Sequence, residues 1–316
     1  MGFQPPIPII DITPLRDNSD PITTARALHA ASSGPGFIYI NGHGIADDII
    51  GCARETALKF FRLPDERKSL VGVAESHRGW IKSGSAKMAD NARPDLKESF
   101  VWGHEDDAIG GGLTLDHSLR GTNKWPDLPE MKQVCVSYFE AVHEVAEHLM
   151  RGFALGLHLP ADAFLKTSDR PISRCSFVYY PPQSIEHEGD QFGVAPHTDF
   201  GALTVLCQDH LGGLEIETVD GQWIAAPPID GTLVVNVGDL LARWTDDAYR
   251  STPHRVVNRS GKERLSLVLA YDPNPETIID SRHVFGAGHE AKYDPTTCGD
   301  YLTWRFAKAF AHKAAN

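Results

Sequence analysis

The chain has 316 residues, of which 41% are hydrophobic and 23% are charged, and its formal net charge is −12. Because acidic residues outnumber basic ones and no block of Lys or Arg occurs, nucleic acid and anionic membranes are excluded as expected partners, and a small-molecule substrate is favoured. The five cysteines are far apart and form no Cys-x-x-Cys pair, which argues against a disulfide framework and a zinc ribbon.

The sequence shows no targeting or membrane signal. The stretch MGFQPPIPII at the start lacks a basic region followed by a long apolar run. No apolar stretch approaches the length of about 18 residues that a membrane helix needs. We therefore expect a cytoplasmic protein, and no pattern in the chain predicts its oligomeric state.

Helices and strands alternate in the first half of the chain. Residues 7–12 (IPIIDI) and 37–40 (FIYI) read as short strands, and 25–33 (ARALHAASS) reads as a helix between them. Residues 129–159 repeat apolar side chains every three or four positions, which predicts a long amphipathic helix that packs against a sheet.

The long predicted helix contains the sequence HEVAEH, which is close to a zinc-protease motif. That motif needs two histidines four residues apart, on one face of the helix. Here His143 and His148 are five apart, so they point about 140° away from each other around the helix. We reject a metal site at this position.

Short β-rich runs follow residue 171 and are separated by Gly, Pro, Asp and Asn. They are SFVYY, ALTVLCQ, LEIETV, WIAAP, TLVVNV, RVVN and LSLVLAY. Antiparallel strands at this spacing predict a mainly β fold with flanking helices, whose core is a jelly roll, also called a cupin-like double-stranded β-helix. A last helix is predicted near residues 300–312.

A metal-binding pattern occurs in the stretch APHTDFGALTVL at residues 195–206. Side chains at i and i+2 of a strand point to the same face, so His197 and Asp199 are expected side by side, about 7 Å apart at the backbone. An imidazole and a carboxylate in this arrangement suit a cation between them.

A catalytic metal needs a further ligand, and His254 is the best candidate among the 15 histidines. It leads into the run RVVN, far enough after His197 to leave room for about four strands between them. His-x-Asp with a distant His is the two-histidine, one-carboxylate set that typically holds non-haem Fe(II) and leaves positions open for substrate and O2. The indicated chemistry is oxidative.

A candidate carboxylate clamp follows in ERLSLVLAY, where Arg264 and Ser266 again share one face of a strand. Arginine binds a carboxylate with a planar fork, and the serine hydroxyl adds a donor. After a candidate metal strand, this pair suggests a co-substrate that chelates iron with one end and is anchored at the other.

The sequence resembles the isopenicillin N synthase-like branch of the Fe(II)/2-oxoglutarate-dependent dioxygenases over nearly its whole length. The matching segments include GPGFIYINGHGI at 34–45, DLKESFVWG at 95–103, YYPPQ at 179–183, HTDFGALTVLCQD at 197–209, VVNVGDLLARWTDDAYRSTPHRV at 234–256 and ERLSLVLAYDP at 263–273. The resemblance implies one oxygenase unit over residues 1–316. Within it we assign a mixed helix and strand region to 1–165, the jelly-roll catalytic core to 166–285 and a C-terminal helical segment to 286–316.

The resemblance also implies roles for individual residues. His197, Asp199 and His254 look like the catalytic iron ligands, and Arg264 with Ser266 looks like the clamp for the distal carboxylate of 2-oxoglutarate. Tyr180 matches a tyrosine that reaches the co-substrate in many relatives. Other auxiliary contacts of plant relatives are missing, because Val178 and Ser176 stand where those proteins often have Asn and Arg.

The implied activity is that of an Fe(II)- and 2-oxoglutarate-dependent oxygenase that hydroxylates a small molecule with O2 and releases succinate and CO2. Two alternatives stay open. One is a 2-oxoglutarate-independent oxidase or cyclase, or an ethylene-forming activity, on the same iron site. The other is a non-redox β-barrel protein that binds zinc or a carboxylate ligand. Whether Arg174 replaces the missing co-substrate contacts is also open.

Neighbours of the iron site and of the substrate are harder to read from sequence. Thr204, Asn236 and Asp239 are candidates for supporting the metal ligands, but for Asn236 and Asp239 we prefer turn and strand packing. The substrate pocket is expected to draw on residues 77–84, on Phe200 and Leu206, and on the last helix around Trp304 and Phe306.

Overall fold

The computed structural model describes residues 7–73, 77–84, 95–104, 119–182 and 192–310. Its strands in chain order are β1 (Ile9–Asp11), β2 (Phe37–Asn41), β3 (Gly79–Ile81), β4 (Glu98–Gly103), β5 (Arg174–Tyr180), β6 (Val194–His197), β7 (Leu203–Gln208), β8 (Leu214–Glu217), β9 (Trp223–Ala225), β10 (Leu233–Val237), β11 (His254–Val256), β12 (Arg264–Tyr271), β13 (Ile278–Ile279) and β14 (Thr296–Thr297).

The helices frame this β core. They are α1 (Thr13–Arg16), α2 (Pro21–Ser33), α3 (Asp47–Phe61), α4 (Asp65–Ser69), α5 (Met131–Gly156), α6 (Asp239–Trp244), α7 (Arg282–Phe285) and α8 (Cys298–Phe310), and a 3₁₀ helix spans Leu165–Thr167. The long helix and the last helix predicted from the sequence are therefore present as α5 and α8. In the part of the chain that the structure describes, no helix combines the length and apolarity needed to cross a bilayer.

Two sheets form the core. Among the described residues, the larger sheet has the strand order β1-β2-β10-β7-β12-β5-β4-β3, and the smaller has the order β6-β11-β8-β9. Their inner faces line a common cavity, to which β5, β7, β10 and β12 of the larger sheet and β6, β8 and β11 of the smaller sheet contribute side chains. This is the architecture of a jelly roll, and the predicted fold class is confirmed.

Alternation along β12 separates the packed face of the larger sheet from the cavity face. Leu265, Leu267 and Leu269 are buried in the main hydrophobic core, which they share with α5 residues such as Phe153. The intervening side chains, beginning with Arg264, point into the cavity. Burial of the outer face under helices therefore fixes the register in which polar groups face inward.

The sequence pattern suggested that the stretch APHTDFGALTVL is one continuous strand, but the structure divides it between two strands. β6 ends at His197 in the smaller sheet, and β7 begins at Leu203 in the larger sheet. The chain crosses between the sheets at residues 198–202. A Cβ atom on Gly201 would lie 2.4 Å from Oδ1 of Asp272, so only glycine fits at this close approach.

Candidate active site

Three potential metal ligands meet where the smaller sheet faces the larger one. His197 ends β6, His254 begins β11, and the two residues lie directly opposite each other in the antiparallel pairing. The Nε2 atom of each lies 3.7 Å from Oδ1 of Asp199, and one ligand atom from each of the three residues lies within 4.8 Å of the others. A cation about 2.0–2.2 Å from each atom fits this space. Strands β7 to β10 lie between the two histidines in the chain, as their spacing suggested.

Backbone carbonyls hold both imidazoles in one orientation. Nδ1 of His197 lies 2.8 Å from the carbonyl oxygen of Ala195, and Nδ1 of His254 lies 3.1 Å from that of Thr252. A carbonyl only accepts, so each Nδ1 must carry the proton and donate it. Each Nε2 therefore presents its lone pair toward Asp199, which is the tautomer that a metal ligand needs.

Hydrogen bonds also orient the carboxylate of Asp199. Its Oδ2 accepts from the hydroxyl of Thr204 at 2.6 Å and from the side-chain amide of Asn236 at 2.8 Å, whereas Oδ1 faces the imidazoles. The packing interpretation of Asn236 was therefore wrong, because its side chain contacts a potential ligand. Asp239 supports Asp199 through the backbone. Its N–H donates to the backbone carbonyl of Asp199, and its carboxylate accepts from the hydroxyl of Thr198.

The protonation states of the cluster suit a cation. Burial, together with the neighbouring His254, lowers the pKa of His197 to about 3, so this imidazole is neutral at neutral pH. Burial raises the pKa of Asp199, but the two imidazoles and the hydrogen bonds from Asn236 and Thr204 outweigh it and lower that pKa to about 2. The cluster thus presents the neutral imidazole of His197 and the carboxylate of Asp199 to a cation.

Replacing Thr204 by valine tests the orientation of this carboxylate. Valine keeps the shape of threonine but removes the hydroxyl that donates to Asp199 Oδ2. Lost support of this kind typically weakens metal affinity by about tenfold or more, and we expect a tenfold loss here. Anaerobic titration with Fe(II) measures it, with Thr204→Ser as the matched control that keeps the hydroxyl. Equal affinities of the valine variant and the parent would contradict this role.

The candidate carboxylate clamp lies at one end of the same cavity. Arg264 is 1% exposed, and its Nε donates to the carbonyl of Gly212 at 2.6 Å while its Nη1 donates to the hydroxyl of Ser266 at 2.8 Å. Its Nη2 is buried and has no hydrogen-bond partner among the described residues. The hydroxyl proton of Ser266 is likewise available, because that oxygen accepts from Arg264. These donors fit a carboxylate group.

Tyr180 completes this end of the cavity. It is paired with Arg264 across β5 and β12, and the guanidinium carbon lies 4.7 Å from the centroid of the tyrosine ring. Burial raises the pKa of the Tyr180 hydroxyl, so it stays protonated and able to donate. The cavity that contains these groups and the histidines, called the Arg264 cavity below, has a volume of about 230 Å³.

A second cavity adjoins the first. Asp199 and Thr204 line both, and the second, called the Arg174 cavity below, has a volume of about 220 Å³ and is lined by Arg174, Asp272 and Phe306, among others. Of the residues expected in a substrate pocket, His77, Ile81, Phe200 and Phe306 line it. Leu206 lines the Arg264 cavity instead, and Trp304 is half exposed and lines neither.

The open question about Arg174 is answered by its position. It pairs with Ala270, whereas Tyr180 pairs with Arg264 at the other end of the same two strands. The six residue steps from Arg174 to Tyr180 correspond to about 20 Å along a strand. Arg174 therefore does not replace missing contacts to a carboxylate bound at Arg264.

Asp272 was missed from the sequence, although a signal for it exists. It continues the inward alternation of β12 that begins at Arg264, and it is fully buried beside the Arg174 cavity. Burial raises the pKa of its carboxyl group to about 6. The two histidines of HEVAEH, by contrast, form separate pairs with Glu147 and Glu144 on α5 and do not converge.

Two family models match the chain. One, described as the 2OG-Fe(II) oxygenase superfamily, covers residues 172–273, and the other, described as the non-haem dioxygenase in morphine synthesis N-terminal region, covers 7–128. A homoarginine-6-hydroxylase of Oryza sativa subsp. japonica is 32% identical over 96% of this chain and 97% of its own. A 2-oxoglutarate-Fe(II) type oxidoreductase of Emericella nidulans is 30% identical over 98% of this chain and 91% of its own.

A similar chain has been solved with small molecules bound. The crystal structure of a full-length Neurospora crassa protein in complex with alpha-KG and thymine has a TM-score of 0.85 and is 32% identical over 96% of each chain. The similarity thus covers both sheets and the helices around them, not the histidines alone. On this evidence the chain belongs to the isopenicillin N synthase-like family of Fe(II)/2-oxoglutarate-dependent dioxygenases, oxidoreductases that use iron, 2-oxoglutarate and O2.

Proposed function

We propose that the enzyme hydroxylates a small molecule, that His197, Asp199 and His254 hold its Fe(II), and that Arg264, Ser266 and Tyr180 bind the distal carboxylate of 2-oxoglutarate. The observation that carries the proposal is the convergence of the three ligand atoms within 4.8 Å beside a buried arginine with an unpartnered nitrogen. The metal site and the carboxylate site line one cavity, so a single co-substrate can reach both.

The donor set supports iron. Two imidazoles and one carboxylate leave coordination positions for a chelating keto acid and for O2. When bound, iron and 2-oxoglutarate supply the oxidising chemistry: one oxygen atom of O2 enters the substrate C–H bond as a hydroxyl and the other enters succinate, with release of CO2. The protein holds the imidazoles through Ala195 and Thr252, and the carboxylate through Thr204 and Asn236.

Geometry supports the co-substrate assignment as well. Gly212 and Ser266 fix Nε and Nη1 of Arg264, so the position of the third nitrogen, Nη2, is set before a ligand binds. A charge-assisted bond made by a preorganised, buried guanidinium is stronger than one made at the surface. Among the similar structures, the Neurospora crassa complex contains alpha-KG. This favours 2-oxoglutarate over an activity independent of it, and over the non-redox alternative.

A small substrate is supported by the Arg174 cavity, which Asp199 and Thr204 also line. Its volume of about 220 Å³ is below the roughly 300–1,000 Å³ usual for drug-sized ligands. Hydroxylation is favoured over other outcomes because a relative along the full chain is a homoarginine-6-hydroxylase. We further propose that residues 1–316 act as one oxygenase unit, since β1 and β2 complete the larger sheet. A cytoplasmic location stays a prediction.

Release of labelled CO2 from [1-¹⁴C]2-oxoglutarate tests the proposed function. The chain, purified without oxygen, loaded with Fe(II) and then exposed to O2, should release CO2 and form equimolar succinate. The reaction should stop when Fe(II) is removed by a chelator and return when Fe(II), but not Zn(II), is added back. Tightly bound zinc with no CO2 release and no O2 uptake would favour the non-redox alternative.

A further inference from the structure

Two arginines occupy opposite ends of the cavity face of the larger sheet. On β5 and β12, the pairing of Tyr180 with Arg264 marks one end, and the pairing of Arg174 with Ala270 marks the other. Asp199 and Thr204 line both the Arg264 cavity and the Arg174 cavity. The proposed iron site therefore borders two cavities that each contain a guanidinium, and the proposed co-substrate accounts for only one of them.

Arg174 forms one long ion pair and no hydrogen bond among the described residues. Its side chain is 12% exposed, and the nearest carboxylate oxygen, Oδ2 of Asp272, lies 4.0 Å from its Nη2. Within the same part of the chain, Oδ2 of Asp272 is buried without a hydrogen-bond partner. The guanidinium carbon lies 4.4 Å from the ring centroid of Phe306, which orients its plane without satisfying its donors.

Another arginine of the barrel shows what a satisfied guanidinium looks like here. Nε of Arg255 on β11 donates to Glu215 at 2.7 Å, and its guanidinium carbon lies 4.2 Å from the ring centroid of Trp223. A largely buried cation that lacks such an acceptor is destabilising, because it has lost water and gained no equivalent partner. The donors of Arg174 open into a cavity beside the proposed iron site. They are thus available to a ligand.

We propose that Arg174 anchors the primary substrate and that this substrate carries a carboxylate group. The guanidinium holds the carboxylate at one end of the Arg174 cavity while a C–H bond of the same molecule faces the iron site near Asp199. The inference rests on the proposed function and specifies the substrate class for the same site. Arg174 is in this view the residue that determines specificity.

Strand register limits the size of that substrate. Thr204 pairs with Ala270, and Ala270 pairs with Arg174, so Thr204 and Arg174 lie two strands apart on one face. Two strand spacings correspond to about 10 Å at the backbone, and the distance between the carboxylate and the oxidised carbon must be shorter than this. The substrate is therefore a compact acid.

The side chains that line the Arg174 cavity indicate the chemical nature of the rest of the substrate. Phe200 and Phe306 pack edge to face with ring centroids 5.9 Å apart, and Val268 and Ala270 form an apolar floor. An aromatic or alicyclic ring would bury apolar surface against these side chains. A compact ring carrying a carboxylate fits both the walls and the cation.

Equilibrium binding of matched acids and amides tests the proposal. The anaerobic chain, loaded with Fe(II) and 2-oxoglutarate, is titrated in a calorimeter with small aromatic and alicyclic acids such as phenylacetate and cyclohexanecarboxylate, and with their primary amides. We expect at least one acid to bind about tenfold more tightly than its amide, because charge-assisted hydrogen bonds from a guanidinium to a carboxylate are roughly twice as strong as neutral ones. Arg174→Gln should abolish the difference and leave 2-oxoglutarate affinity within about twofold.

Arg255→Gln is the matched control, because Arg255 lines neither cavity and already has a partner. It should keep the preference for acids. The proposal is overturned if no acid of the panel binds, if amides or neutral thymine bind as tightly as the acids, or if Arg174→Gln retains the preference. Failure of the proposed function would be observed in a different measurement, as absence of CO2 release from 2-oxoglutarate in the parent chain. Arg174-dependent binding of acids would remain intact in that case.

Discussion

Replacing Asp199 by alanine is expected to abolish 2-oxoglutarate turnover. The carboxylate supplies the only negative charge of the proposed ligand set among the described residues, and its Oδ1 lies 3.7 Å from Nε2 of both histidines. Without it, the two imidazoles of the set remain, and they hold a hard divalent cation poorly. Loss of metal catalysis is worth several kcal/mol, so CO2 release should fall by about a thousandfold or more.

The fold should survive this substitution. Asp199 lies beyond the end of β6, and its backbone carbonyl still accepts from the N–H of Asp239 when the side chain is removed. We therefore expect the metal-free variant to melt within a few degrees of the metal-free parent. The parent, but not the variant, should gain stability when Fe(II) is added without oxygen, since a ligand that binds only the folded state stabilises it.

Exposed residues of the same types provide the controls. Asp220→Ala changes a carboxylate in the turn between β8 and β9, and His210→Ala changes an exposed imidazole, so neither should alter turnover or Fe(II)-induced stabilisation. His254→Ala should behave like Asp199→Ala. Turnover close to that of the parent in Asp199→Ala would remove this residue from the ligand set.

Most of the β core could be predicted from the sequence because each strand carries its own alternation and its own turn residues. The run LSLVLAY keeps leucines on the packed face, and the structure shows it as β12 with Leu265, Leu267 and Leu269 in the core. The distant pairing of His197 and His254 was anticipated from the number of strands between them. Local patterns sufficed in these cases because, in a jelly roll, the number of strands between two residues indicates whether their strands are neighbours.

The crossing at residues 198–202 could not be predicted because it depends on contacts distant in sequence. At this crossing Gly201 fits closely against Asp272, and no local pattern contains that contact. The role of Asn236 was hidden for a similar reason, since it lies 37 positions from the carboxylate that it contacts. Such residues are recognised only when neighbouring strands are known.

The residues around Arg174 could be predicted in part from the sequence. The alternation that places Arg264 and Ser266 inward also places Asp272 there, and on β5 the alternation that includes Tyr180 includes Arg174. Arg174 was already a candidate, and extending the face of β12 to its end would have named Asp272 as well. Their separation from Arg264 would not have followed, because it requires the register of β5 against β12.

Replacing Arg264 by glutamine is expected to raise the half-saturating concentration of 2-oxoglutarate by thirtyfold or more. Removing one partner of a buried, charge-assisted contact costs about 2–5 kcal/mol, part of which reflects the ligand charge left without a partner. Glutamine keeps one donor and much of the volume, so the contacts of Tyr180 and Ser266 are disturbed less than by alanine. Steady-state CO2 release at varied 2-oxoglutarate, with saturating Fe(II), measures the change.

Two further arginine variants distinguish a directed contact at Arg264 from an effect of the net charge of the cavity. Arg264→Lys keeps the charge but loses the fork that binds Gly212, Ser266 and a carboxylate together, so it should fall between the parent and Arg264→Gln. Arg174→Gln, at the other end of the same strands, should leave the 2-oxoglutarate requirement unchanged. If both glutamine variants raised it equally, the effect would come from the net charge of the cavity. A rise confined to position 264 instead identifies a bound carboxylate at that end, because only a directed contact distinguishes two arginines about 20 Å apart along one strand pair.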